Sequence, residues 1–70
     1  MRVGILVTQI ESGRLDVCFQ NNEYYGGLHC GQTMDVKINQ KWIPTRIEMD
    51  EDWYLVGVDT GNIVGLTVRI

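Results

Sequence analysis

The segment Tyr24-Tyr25-Gly26-Gly27-Leu28-His29-Cys30-Gly31 gathers most of the residues of this chain that could do chemistry. It holds three of the eight glycines, two of the three tyrosines, the only histidine and one of the two cysteines. With Cys18, residues His29 and Cys30 offer three soft metal ligands. Structural zinc takes four, usually in paired spacing such as C-x-x-C. Adjacent side chains diverge in extended backbone, so His29 and Cys30 reach one ion only from an irregular loop. No metal or other cofactor is therefore expected, and a metal protein using Cys18, His29 and Cys30 is kept as an alternative. A Cys18–Cys30 disulfide needs Cα atoms within about 7 Å and is disfavoured in a reducing compartment.

Cys30 beside His29 also invites a nucleophile–base reading. A working pair needs the imidazole within hydrogen-bond reach of sulfur and a third group to orient it. Neighbours in sequence rarely meet that geometry, and nothing marks an oxyanion hole, so no catalytic residue is assigned and the chain is read as a non-enzyme. Gly26-Gly27 and Gly31 do not form a phosphate loop, which requires G-x-x-x-x-G-K-[ST] before a helix. Their expected role is positive φ or close chain approach.

The aromatic residues Tyr24, Tyr25, Trp42, Trp53 and Tyr54 are many for so short a chain. Trp53 and Tyr54 are adjacent on a strand and must point to opposite faces. Either the tryptophans are core and the tyrosines close one end, or they frame a groove for a peptide or cation. The binding candidates are thus Tyr24, Tyr25, His29, Trp42, Trp53 and Tyr54. The acidic run Glu48, Asp50, Glu51 and Asp52 lacks the D-x-D-x-D-G calcium pattern and reads as a solvated turn that discourages edge aggregation.

Seventy residues make one domain, residues 1–70. Such a chain buries roughly 60% of its unfolded surface, which leaves little stability for a strained catalytic cleft. At 44% hydrophobic and 21% charged it is ordinary for a folded domain rather than a disordered one. The net charge of −3 and the scattered Arg2, Arg14, Lys37, Lys41, Arg46 and Arg69 argue against binding duplex nucleic acid, which needs clustered basic side chains. No signal peptide or membrane-length apolar run is visible. With two cysteines only, a cytoplasmic location is expected.

Period-two alternation dominates. It predicts strands over residues 2–9, 15–20, 34–39, 41–49, 53–58 and 63–70. The last is expected to show Val64, Leu66, Val68 and Ile70 on one face. Turns are expected at Glu11–Arg14, Asn39-Gln40, Asp50–Asp52 and Asp59–Asn62. Pro44 cannot donate to a ladder, so the fourth strand must have a bulge or an edge there. No segment shows a helical stripe. The expected fold is all-β: a small SH3-like or Tudor-like barrel of five to six antiparallel strands, with a long Gly/Tyr-rich loop between strands 2 and 3. Closure is favoured because it removes exposed edges. The spacing of Gly31, Val36, Trp42, Ile47, Trp53 and Leu55 fits such a barrel.

Tyr24–Gly31, together with Trp42-Ile43-Pro44-Thr45-Arg46-Ile47-Glu48-Met49 and Trp53-Tyr54-Leu55-Val56-Gly57, resembles a family of short uncharacterised proteins from Firmicutes of the clostridial type, known only as a domain of unknown function. The resemblance covers essentially the whole chain. It brings no activity, cofactor or catalytic residue. Members of that family accompany mobile elements, which implies an accessory or interaction role. The chain departs from the expected pattern at Gln40, where Gly would follow Asn39, and this argues against a clean type I′ turn. The functional expectation is a protein-interaction module working through the Tyr24–Gly31 loop with Trp42, Trp53 or Tyr54. The runner-up is a nucleic-acid accessory module binding single strands through exposed aromatics.

Overall fold

Alternating apolar and polar residues build six antiparallel strands in the computed structural model, which describes all residues from Met1 to Ile70. They are β1 (Val3–Thr8), β2 (Leu15–Phe19), β3 (Thr33–Ile38), β4 (Lys41–Met49), β5 (Trp53–Leu55) and β6 (Thr67–Arg69). They form one sheet in the order β2-β1-β6-β3-β4-β5. The inward residues of each strand and of two loops make one core: Leu6, Leu15, Val17, Phe19, Leu28, Met34, Val36, Ile47, Leu55, Ile63 and Val68.

The all-β class, the six strands and the long loop after β2 are as expected. The sheet, however, is not closed into a barrel: β2 and β5 are its edges and do not pair. The reason lies in the last two strands. The apolar residues after Leu55 look like strand, but Gly57 adopts φ +78° and Val58 N–H turns back onto Leu55 C=O at 3.1 Å. Gly65, at φ +96°, bends residues 63–66 in the same way, and Leu66 N–H bonds Ile63 C=O at 3.2 Å. Each strand is left with three residues, too few to wrap the sheet shut. Ile63 is consequently buried and Val64 exposed, instead of Val64 lying on an apolar face with Val68.

The β2 edge is nevertheless covered, and the β5 edge in part. The first half of the long loop runs along β2: Phe19 N–H bonds Glu23 C=O at 2.7 Å, Tyr25 N–H bonds Val17 C=O at 2.9 Å, and Leu28 N–H bonds Leu15 C=O at 2.8 Å. On β5, Trp53 N–H donates to Asp52 Oδ1 at 2.8 Å, and Leu55 C=O takes the Val58 bond. The Trp53 indole Nε1 reaches across to Gly13 C=O at 3.2 Å, tying β5 to the β1–β2 turn. Side chain and loop thus do what strand pairing does in a closed barrel.

Pro44 stands opposite Asp35 on β3, while β5 pairs only with Ile47–Met49, so β4 is an edge at the proline as expected. The Asn39-Gln40 hairpin has φ +50° and +68°, both positive, and is a type I′ turn despite the glutamine.

Candidate functional site

The Gly/Tyr-rich loop is organised by a residue on the neighbouring strand. Asp16 is on β2, opposite Val7 and pointing away from the core by alternation, yet it is only 2% exposed. Its Oδ1 accepts the Val17 amide at 2.8 Å and the Gly26 amide at 2.9 Å; Oδ2 accepts the Gln9 side-chain amide at 3.1 Å. Gly26 and Gly27 take φ +113° and +102°, a region costly to any residue with a Cβ, and this conformation aims their N–H groups at the carboxylate. Burial pushes the Asp16 carboxyl up, but hydrogen bonds from the Gly27 amide, the Gln9 side chain and the Val17 and Gly26 amides outweigh it. The carboxyl therefore sits below its ordinary 3.8. The anion these glycines cradle is the protein's own.

Leu28, fully buried, is the loop's anchor in the core. Its burial is worth roughly 2 kcal/mol. With that position filled, neither tyrosine is needed in the core, and Tyr24 and Tyr25 are 58% and 45% exposed. Tyr25 Oη accepts the Gln32 side-chain amide, which fixes its ring on the loop. Tyr24 bridges to Cys18 along the free side of β2, and the Cys18 sulfur beside it pushes the Tyr24 phenol above its ordinary 10.0.

His29 is exposed and its Nδ1 faces Arg14 Nη1 at 3.2 Å. A guanidinium only donates, so Nδ1 accepts. The same Arg14 nitrogen donates to Leu28 C=O at 3.0 Å, clamping the loop to the start of β2. Cys18 is half-buried on β2 and Cys30 exposed, both with free thiols, and they do not assemble with His29 into a cluster of ligands.

The remaining aromatics lie elsewhere. Trp42 is half-buried on the outer face of β4, opposite Lys37; Arg69 Cζ lies 4.5 Å and Lys37 Nζ 5.6 Å from its ring. Arg69 is held there by Asp35 at 2.8 Å. Trp42 is thus covered by cations of its own chain. Trp53 packs on the core from β5, while Tyr54, pointing the other way, is 42% exposed. Tyr24 lines one groove and Trp53 with Tyr54 another, whereas Tyr25, His29 and Trp42 line none. The six candidates therefore do not form one aromatic groove. Of the arginines, Arg2, Arg46 and Arg69 are paired with Glu23, Glu48 and Asp35, and Arg14 is used on the loop. No basic stripe is left for a nucleic acid.

The surface that sequence reasoning passed over is the outer face of β1. Leu6 points into the core, but Val3 and Ile5 on the opposite face are 52% and 47% exposed. With Val7, Cys18, Phe19 and Thr67 they line an apolar groove of about 470 Å³. Tyr24 bridges to Cys18 of that lining and shares the neighbouring groove with Val7. The signal was present: the run Ile5-Leu6-Val7 is apolar on both faces of one strand, as in a sheet covered on both sides.

With this geometry in view, the chain belongs to the family described as a domain of unknown function, DUF5348, whose profile it matches over residues 4–70. A crystal structure of a protein from Ruminococcus gnavus is 49% identical and has a TM-score of 0.92, with 99% of this chain and 100% of that one covered. No curated protein matches the chain. No helix of the chain is long and apolar enough to cross a membrane.

Proposed function

We propose that this chain is a non-enzymatic protein-interaction module of the cytoplasm. Its contact surface is the outer face of β1, with Val3, Ile5 and Val7, continued by Tyr24. One observation carries the reading: a central strand of the sheet exposes large β-branched residues side by side on its solvent face. An apolar patch of that kind on a small domain marks a contact site. The loop covers the β2 edge beside this face, which favours recognition through the face over strand addition there. The loop contributes by presenting Tyr24 at the rim of that face.

The test is a pull-down with wild type, Ile5→Lys and Tyr54→Ser. A partner held by wild type and Tyr54→Ser but released by Ile5→Lys is expected. A partner that depends on Tyr54 or Tyr25 and ignores Ile5 would sink the assignment of the face.

A further inference from the structure

We infer that the β1 face takes a basic segment of another protein. Apolar side chains of that segment lie over Ile5, and its lysine or arginine side chains lie beyond Thr8, at the β4–β5 turn. The inference rests on the reading of that face as a contact surface and names the chemistry of its partner.

The strip alone is short. Val3 to Val7 is about 13 Å of strand, whereas a standard contact buries about 800 Å² per partner. A partner held here therefore reaches past the strip, and what it meets depends on the direction. Past Val3 the charges are already paired. Arg69, opposite Val3, is held by Asp35 at 2.8 Å, and Arg2 is held by Glu23 at 3.2 Å. Toward β3, Arg69 and Lys37 lie over the Trp42 ring.

Past Val7 the surface is different. The apolar groove continues through Val7 into a second groove lined by Glu11 and Tyr24, and through Thr8 into a third lined by Asp50, Glu51 and Asp52. No lysine or arginine lines any of the three. Asp16 is sealed by amides and Asp52 accepts the Trp53 N–H. Glu11, Asp50 and Glu51 are left exposed, with side chains in no ion pair and no hydrogen bond of the chain.

An apolar strip that opens onto unpaired carboxylates complements a segment whose apolar residues are followed by cations. A neutral partner would cover the strip and gain nothing at its open end. A nucleic acid or an anionic membrane would be repelled there. Charges at the rim of a contact set encounter rate and salt dependence more than affinity, so the association is transient and sensitive to salt.

Two synthetic peptides test the proposal. Both begin with alternating valine and threonine; one ends in three lysines and the other in three glutamates. Each is titrated to about 1 mM into the isotope-labelled full chain, and amide shifts are followed. The lysine peptide should shift Ile5, Val7, Thr8 and Glu51 together, and the glutamate peptide should bind about tenfold more weakly or worse. Asp50→Asn with Glu51→Gln should weaken the lysine peptide about fivefold. So should raising salt from about 0.1 to 1 M, which cuts the screening length to about 3 Å. Ile5→Thr, which keeps a β-branched side chain for the strand, should weaken it about tenfold.

Equal binding of the two peptides, or indifference to the Asp50 and Glu51 substitutions, overturns the basic partner. If that binding still needs Ile5, the face reading stands. A lysine peptide that shifts the turn and ignores Ile5 overturns the two readings together. A lysine peptide that shifts nothing at about 1 mM overturns the basic partner, and the pull-down with Ile5→Lys then judges the face by itself.

Discussion

Asp16 Oδ1 accepts the amide of Gly26 at 2.9 Å, across ten residues of chain, and that bond joins the loop to β2. Val17, Gly27 and Gln9 converge on the same carboxylate. Removing it strands several donors at a site that is 2% exposed. Asp16→Ala should therefore destabilise the domain by about 3 kcal/mol, the cost of leaving donors to a charged group unmet. In a chain whose core supplies only about 3–5 kcal/mol, that is most of its stability. Urea titration measures it. A loss below about 0.5 kcal/mol, as for an ordinary surface residue, would show that the carboxylate does not hold the loop.

The same contact fixes a pH dependence. The folded Asp16 carboxyl lies below its ordinary 3.8. Its contribution is therefore fully present above that value and is lost as pH falls through the folded value. Between about pH 6 and pH 2, wild type should lose more stability than Asp16→Asn, which has no charge to titrate. Thermal melts of the two across that range decide the matter. Parallel curves would mean that Asp16 titrates alike in the folded and unfolded chain.

Asp16 also shows where reading the residues runs out. Alternation in Leu15, Val17 and Phe19 places β2 correctly and assigns Asp16 to the solvent face. What covers it is a loop returning from residue 26, a non-local contact that leaves no periodic trace. The glycines were legible as sites of positive φ, but the anion they serve was not. The same limit governs the ends of β5 and β6. Val56, Val58 and Val64 look like strand, and only the conformations of Gly57 and Gly65 cut those strands short. Whether the tyrosines face in or out was decided by Leu28, which takes the core position of the loop and leaves both rings exposed.

Gly4 is a second constraint hidden in a strand. A Cβ there would lie 2.5 Å from Val17 Cγ1, 2.7 Å from Cys18 C=O and 2.9 Å from Phe19 Cδ1. The carbonyl is backbone and cannot step aside without opening the β1–β2 ladder. Gly4→Ala should cost about 2 kcal/mol by overpacking, although alanine is no worse than glycine as a strand residue. Equal or greater stability in denaturant would show that the two strands have room to part.

The type I′ turn at Asn39-Gln40 offers a gain. Gln40 is held at φ +68°, where its Cβ meets the following carbonyl at a cost of about 1–2 kcal/mol. Glycine avoids that clash but loses more freedom on folding, by roughly 0.5–1 kcal/mol. Gln40→Gly should therefore stabilise the domain by about 0.5–1 kcal/mol, with the chemical shifts of β3 and β4 otherwise unchanged. A lower melting temperature would mean that the glutamine side chain makes a contribution its exposed position does not suggest.

Trp53 holds the two ends of the open sheet together, and its two contributions separate by substitution. The ring packs on the core, while Nε1 donates to Gly13 C=O at 3.2 Å. Trp53→Phe keeps most of the ring contact and deletes the donor, so about 0.5–1.5 kcal/mol should be lost. The ring is half-buried rather than enclosed, so Trp53→Ala should cost about 2–3 kcal/mol, at or below the lower end of the range for a fully buried tryptophan. Amide exchange distinguishes a local from a global effect. If the bond to Gly13 closes the sheet, Trp53→Phe should speed exchange at the β1–β2 turn, at Gly13 and Gln9, before it speeds exchange in β3. Uniform acceleration across all strands would show that Trp53 acts only as a packed ring and that the open side of the sheet is held by the core alone.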